Sequence, residues 1–385
     1  MAVITGALVT GDSVRSGLQS LVGLRLGKAD ISVTAGDRYL TDSLSIRMSA
    51  TLKIPATAIL QLKGSATAGG GALRMPKVEV YGIDQSFREV TGEGTFAPPE
   101  NEIEAVISDN LAARLDVKVG EQIIIRINKP GPVPIDAPFV SNEENIVSAT
   151  VTIKAIADKK QVGRFHLQNT QSAPNNIFLS RKYLQKLTGL DGLSNMILLA
   201  GRGKITGDQV EVALAKSRTL SDAGLHLEKH PGTGEWILRT PRVFFDDSAL
   251  KAIESIPSGK SLYFSYFVNE FKIGDRTTPY SFVSTLPGNR IKSGEILINR
   301  WLADDLDAKP GDSVTLSYFM VGPLRNLTIE KARFRITGII AMDDPTSDPL
   351  LMPEIPGLSD AGNCRDWESS IPIDLDKIRD KDELY

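Results

Sequence analysis

The sequence predicts an α+β protein built as a tandem duplicated unit, each copy a βαβ layer with an inserted β-rich module. Three observations predict it. Period-2 alternation and short helical faces succeed one another along the chain. A stretch near residue 110 returns near residue 300. The elements around both stretches come in the same order.

The elements read as follows. Ala2–Val9 is small, apolar and uncharged. Val14, Leu18, Leu21, Val22 and Arg25 then mark a helix face, which Asp12 or Ser13 caps and Gly27 closes. Residues 2–10 carry two readings: an apolar arm before a surface helix, or the last turns of a transmembrane helix. Ile31–Thr34 alternates as a half-buried strand, Gly36-Asp37 turns, and Leu40, Leu44 and Met48 share a helix face. Ile59–Leu62 and Val78–Tyr81 read as strands with Gly69-Gly70-Gly71 in the loop between them. Ala105–Ile107 is a strand, Ser108 a possible N-cap, and Leu111 and Leu115 face one way on a short helix. Gly120 turns the chain into the strand Gln122–Ile127. Pro130, Pro132, Pro134 and Pro138, with Phe139, form a stiff loop, because proline fixes φ and lacks an N–H. That loop is the candidate partner surface. Ala149–Ile156 and Asn176–Leu179 are strands, Tyr183–Leu187 a helix and Met196–Leu199 a strand. Gln209–Leu220 reads as a helix and Leu225–Glu228 as a strand.

The programme then restarts. Asp246-Asp247-Ser248 opens a helix, as Thr41-Asp42-Ser43 does, and Leu262–Phe267 and Tyr280–Val283 are strands. With Leu111 set on Leu302, Ile107 falls on Ile298, Ala112 on Ala303, and Leu115 on Leu306. Asp116, Lys118 and Gly120 fall on Asp307, Lys309 and Gly311. Val151–Ile153 corresponds to Phe334–Ile336, and Ile177–Ser180 to Ile371–Asp374.

Composition excludes several classes. The 385 residues carry a net charge of −3, so no basic excess exists to neutralise nucleic-acid phosphates. One cysteine, Cys364, rules out an internal disulfide framework, and three histidines leave little for zinc chemistry. No apolar run reaches the ~20 residues of a membrane span, and no signal-peptide pattern is visible. Composition alone describes a soluble globular chain.

Chemical motifs fare no better. Gly259-Lys260-Ser261 lacks the glycine that a phosphate loop needs at position 254, and Ile205 follows Gly201-Arg202-Gly203-Lys204. His226 and His230 lie on a strand pattern, about 13 Å apart, which is too far to share a metal. His166 stands alone. Asp304-Asp305 and Asp343-Asp344 read as solvated faces, since adjacent side chains point different ways. Cys364 has no partner histidine in view. The sequence thus predicts no catalytic, cofactor-binding or metal-ligating residue.

Other segments carry a resemblance. Ile4–Arg15 resembles the exit of the first transmembrane helix in FtsX/MacB-like ABC transporter permeases, and Leu26–Asp30 and Gly36–Arg38 continue it. Val80–Asp84 resembles the family's strand before its inserted module, and Ile336–Ile340 the strand that ends it. Asp366-Trp367-Glu368 with Ile371–Asp374 is similar to large bacterial permeases of the group.

The resemblance implies an extracytoplasmic or periplasmic domain of the inner membrane, between two membrane helices. It implies a porter-like βαβ part with a Sabre-like insertion, here twice. Residues 1–10 would be the membrane-helix stub. Residues 11–88 with 168–232 would be the first porter-like subdomain and 89–167 its insertion. Residues 233–287 with 370–385 and 288–369 would be the second pair. The domain would be non-enzymatic by itself and bind no cofactor. It would couple cytoplasmic ATP hydrolysis to movement outside the membrane, for export or lipoprotein extraction. Its partners would be a cognate ATPase reached indirectly, the membrane through flanking helices, a periplasmic adaptor or lipoprotein, and a second permease copy. Two other readings stay open: a stand-alone binding or adhesion protein of two α+β repeats, and a hydrolase with an unrecognised site.

Overall fold

The computed structural model describes residues 22–36, 38–128, 146–168, 173–201, 203–240, 245–257, 259–286, 291–321, 327–348, 350, 352, 363–367 and 373–384. The apolar arm and the proline loop, with Pro130, Pro132, Pro134, Pro138 and Phe139, lie outside them. So do residues 368–372. The described residues form two compact units, one running to Arg239 and one starting at Thr240.

The first unit opens with a helical turn at 22–26. Next come β1 (Ile31–Thr34), β2 (Leu40–Thr41), α1 (Asp42–Leu52), β3 (Ala56–Ala68) and β4 (Leu73–Ile83). α2 (Gln85–Thr91), β5 (Glu104–Ser108), α3 (Asp109–Leu115), β6 (Gln122–Asn128) and β7 (Ile146–Ala157) follow. Then come β8 (Asn176–Ser180), α4 (Arg181–Thr188), β9 (Leu193–Ser194), β10 (Met196–Leu199) and α5 (Gly207–Ser217). A hairpin of β11 (His226–Lys229) and β12 (Trp236–Arg239) ends the unit. The expected boundary at 232/233 falls inside that hairpin.

Most of these elements follow the periodicity. β1 alternates between half-buried and exposed positions, and Leu44 and Met48 are fully buried on α1. β6 alternates strictly, with Ile123, Ile125 and Ile127 inside and Gln122, Ile124, Arg126 and Asn128 outside. Ser108 precedes α3, but its side chain does not cap the helix. It accepts the amide of Asn176 at 3.0 Å instead, which ties β5 to β8.

The pairings bend these strands into a ring. The eight-stranded sheet runs β1-β10-β3-β4-β8-β5-β7-β6, and β6 returns to pair with β3. β3 to β6 and β8 inclusive therefore close with β7 into a small barrel with no free edge, which removes a site of uncontrolled strand pairing. β4–β8 and β5–β7 are parallel, and the other pairs are antiparallel. The boundaries expected at 88/89 and 167/168 thus separate segments that share one ring: β6 pairs with β3 and β5 with β8, while β7 joins β5 to β6.

Aliphatic side chains fill the ring. Leu60, Leu62, Val80, Ile107, Ile125, Ile153, Ile177 and Leu179 form one cluster with Leu111 and Leu115 of α3 and Leu184 of α4. Each such side chain, fully buried, contributes roughly 1.5–3 kcal/mol. A second cluster lies on other faces of the same strands and is aromatic. Tyr81 stacks on Phe178 at 5.4 Å, while Phe165 meets Tyr81 edge-on at 5.2 Å.

The second unit is smaller. It holds α6 (Asp247–Glu254), β13 (Ser265–Ile273), β14 (Arg276–Ser284), β15 (Glu295–Asn299), α7 (Arg300–Leu306), β16 (Ser313–Val321) and β17 (Leu327–Ile340). The strand expected to begin at Leu262 begins at Ser265, and Leu262, Tyr263 and Phe264 are exposed. The reading also missed the tight turn at Gly274-Asp275, across which Ile273 faces Arg276. The five-stranded sheet runs β14-β13-β16-β17-β15. β4-β3-β6-β7-β5 in the first unit has the same order and the same strand senses.

The match extends to hydrogen bonds. α3 and α7 both end on an aspartate in the left-handed region, Asp116 (φ 46) and Asp307 (φ 50). Gly120 N donates to Ile153 O at 2.8 Å, and Ile153 N to Glu121 O at 2.9 Å. Gly311 N likewise donates to Ile336 O at 2.7 Å, and Ile336 N to Asp312 O at 2.8 Å. The parallel pairs β5–β7 and β15–β17 carry a bulge at the corresponding place, Ala105/Val106 and Ile296/Leu297.

Ring closure gives the first prediction. A Cβ placed on Gly64 would stand 2.4 Å from the Arg126 carbonyl oxygen, where β3 meets β6. Gly64→Val should therefore destabilise the first unit by about 2–4 kcal/mol, the range of substitutions that force backbone apart. Urea unfolding would show it, and the amides of Ile124–Ile127 would lose exchange protection first.

Candidate functional site

Among the described residues, no three His, Cys, Asp or Glu side chains converge as a metal site requires. The residues singled out by sequence are spent elsewhere. Lys260 donates to the carbonyls of Glu254 (2.5 Å) and Ile256 (2.7 Å), so it caps the C-terminal end of α6. His230 Nδ1 accepts the amides of Gly232 and Thr233 within its turn at 3.0 and 2.9 Å. His226 is exposed on β11. His166 is buried, and its Nδ1 accepts the Gln168 amide at 2.9 Å. Cys364 is half-buried and lies 3.9 Å from the Asp382 carbonyl.

Two sets of polar ties stand out instead. The first fixes residues 26–30. Gly27 closes the leading helical turn, with its N–H donating to Gly23 O at 2.9 Å. Its φ of +63° suits glycine, and a Cβ there would meet the Thr91 carbonyl oxygen at 2.1 Å. Lys28 N donates to that same Thr91 oxygen at 2.8 Å. Ala29 is buried. The Asp30 carboxylate accepts the amides of Gly201 (2.7 Å) and Gly203 (2.8 Å). The glycines that looked like part of a phosphate loop thus already hold an anion, the side chain of Asp30. β1 then pairs with β10, and β10 with β3.

Arg181 reinforces the same face. Its Nη1 donates to Ala58 O at 2.6 Å, and its guanidinium pairs with Asp84 and with Asp42. Asp84 also caps α2 by accepting the Ser86 amide at 3.0 Å. Asp42 accepts Gln185 Nε2 at 2.9 Å. One cation therefore joins β3, the start of α1 and the start of α2.

The second set lies in the second unit. Asp304 is exposed, as read, but Asp305 corrects the sequence reading: its side chain is only 5% exposed. It pairs with Lys381 and accepts from Arg379 Nη2 at 2.8 Å and from Thr278 Oγ1. Arg379 Nη1 donates to Thr277 O at 2.9 Å, and Asp382 accepts Arg379 N at 2.8 Å. Tyr280 Oη accepts the Asp374 amide at 2.7 Å. Residues 374–382 are thereby tied to α7 and β14. Burial pushes the Asp305 carboxyl up, but the bonds from Lys381, Thr278 and Arg379 outweigh it and hold it below the ordinary carboxylate range.

This geometry ties residues 26–30 and 374–382 to neighbouring elements. No helix among the described residues is long and apolar enough to cross a membrane. No known protein family and no curated protein matches the chain. Among solved structures it is similar to the periplasmic region of MacB from Actinobacillus actinomycetemcomitans. The identity is 11% and the TM-score 0.31, over 57% of this chain and 85% of that one.

Two predictions follow from the ties. Asp30→Ala should cost about 1 kcal/mol and release the Gly201 and Gly203 amides to fast hydrogen exchange, with β3 still protected. Because folding lowers the pKa of Asp305, its stabilisation is full above the unfolded value of about 4 and disappears as pH falls through the lower folded value. Asp305→Asn should therefore cost about 1–3 kcal/mol at pH 7 and much less at pH 2.5. Denaturation midpoints at the two pH values measure the difference.

Proposed function

We propose that the chain is the extracytoplasmic domain of an FtsX/MacB-type ABC transporter permease. In this reading it is non-enzymatic itself and moves in response to ATP hydrolysis on the other membrane face. The observation that carries the reading is the fixing of residues 26–30. Residues 26–30, which continue the resemblance that begins at Ile4–Arg15, are clamped to Thr91 and to the Gly201–Gly203 loop. It then enters the sheet through β1 and β10. A tilt applied ahead of residue 22 would thus reach β3 through backbone bonds rather than through a slack linker.

The paired strand orders support a second part of the reading, that the two units arose by duplication. Matching helix caps, bulges and glycine-amide bonds recur at corresponding positions, which independent folds would not require.

A stand-alone binding protein is the competing reading. The β11–β12 hairpin favours it, because Trp236 is 67% exposed there and Leu227 lies exposed on the paired strand.

The genomic flanks test the class directly. Apolar spans on both sides and an adjacent ATPase gene are expected, and a gene with no such spans would refute the permease reading. The mechanism is tested in the full-length protein in its membrane. Gly27→Ala with Asp30→Ala should leave ATP hydrolysis in place while substrate movement falls severalfold. Unchanged transport with a demonstrably loosened 201–203 loop would overturn the coupling role.

A further inference from the structure

In the first unit, α1 and α5 cover one face of the outer strands. Ile197 and Leu199 of β10 pack there with Leu44, Met48 and Val210. Met196 and Leu198 point the other way, into the cluster that holds Leu26. The two helices thus lie across the sheet from the leading helical turn. They run antiparallel. Arg47, early in α1, donates from Nε to Ser217 O at the end of α5, at 2.7 Å. Leu52, at the end of α1, meets the start of α5.

Between them is a groove of about 410 Å³. Leu52, Ile205, Val212 and Ala213 give it apolar walls, and Asp208 and Lys216 flank Val212 along α5. Val212 is 55% exposed, while Val210 and Ala213 beside it are buried. Asp208 and Lys216 are exposed. They stand about 12 Å apart along the helix axis, too far to pair with each other. Among the described residues neither has an ion partner. Glu211, the other exposed acid of the helix, lies outside the groove.

This stripe is its own complement. A two-fold axis through Val212 sets the residue four before it against the residue four after it. Asp208 then meets Lys216 of a second copy, twice, and Val212 meets Val212 between the two pairs. A small apolar ligand would fill the walls but leave both charges unpaired. The 11 residues of α5 make a helix about 16 Å long. A contact of that length buries less than the ~800 Å² per partner of a stable interface, so the association is weak and sensitive to salt.

We infer that the α1–α5 groove is a self-association surface. α5 of a second copy of this chain packs antiparallel across it, with Val212 at the centre and an Asp208–Lys216 pair on either side. The inference does not rest on the transport reading.

Sedimentation equilibrium of the full chain tests it. Dimer should form at about 0.1–1 mM at low salt and weaken as salt rises. Asp208→Lys and Lys216→Asp should each weaken it at least about tenfold, because either change turns both pairs of the dimer repulsive. An equimolar mixture of the two variants should dimerise as the unchanged chain does, since each supplies the charge that the other lacks. A second readout uses Val212→Cys together with Cys364→Ser. Oxidised glutathione should cross-link that chain through position 212, and 1 M salt should cut the cross-linked yield severalfold. This arm keeps both charges, so it decides the matter even if a charge reversal unfolds the chain. A chain that stays monomeric at about 1 mM would overturn the inference. So would folded charge-reversal variants that dimerise unchanged, or that mixing fails to rescue. Cross-linking through position 212 that is absent, or indifferent to salt, would overturn it as well.

Discussion

The first unit depends on one close approach, that of β3 and β6 at Gly64. Ring closure requires two backbones to meet where any side chain on Gly64 would strike the Arg126 carbonyl. The register there, Gly64 opposite Ile127 and Thr67 opposite Ile124, sends Ile125 and Ile127 into the core. β3 also pairs with β4 along one edge, and its first residues pair with β10 on the other. That is why a 13-residue strand is needed: a shorter one could serve the ring or the outer pair, but not both. The ring and the outer strands β10 and β1 are both attached to this strand.

The entry clamp is an example. Residues 26–30 make bonds of ordinary strength, and exposed charged contacts contribute little to stability. Their effect is geometric. They leave the chain no slack between the leading helical turn and β1, and β1 reaches β3 through β10 alone. The tie at Asp305 works differently. Its carboxylate is buried with two cations and a hydroxyl around it, so removing it would strand charges that water now reaches only partly. That tie positions residues 374–382, while the clamp positions residues 26–30. Both act through oriented polar groups on an apolar framework that does not itself titrate.

Local structure was legible in the sequence because it follows from periodicity. Leu44 with Met48, Leu111 with Leu115, and the alternation of β6 all announce which face is buried. The likeness of residues 107–120 to 298–311 was legible because buried helix-face residues and a glycine turn recur at one spacing. Pairing was not legible. Nothing in residues 122–127 says that their strand returns to β3, since an edge carries only main-chain groups and these are the same in every residue. Asp305 was misread for a related reason. Asp304 and Asp305 differ by one step of helix rotation, and only the fold brings Arg379 and Lys381 to one of them. Asp30 and the Gly201–Gly203 loop were each noticed, but their partnership spans more than 170 residues. The candidate proline loop lies outside the described residues, so its role rests on sequence alone.

A division of labour follows from where the polar groups sit. The ring core contains aliphatic side chains from six strands and two helices, and close-packed interiors of that kind deform little. The clamp, the Arg181 junction and the Asp305 tie lie around such cores; the bonds of the clamp can be exchanged for water at small net cost, whereas opening the buried Asp305 pair would cost more. A load on the first unit would therefore break or re-form bonds of the clamp before it distorted the barrel.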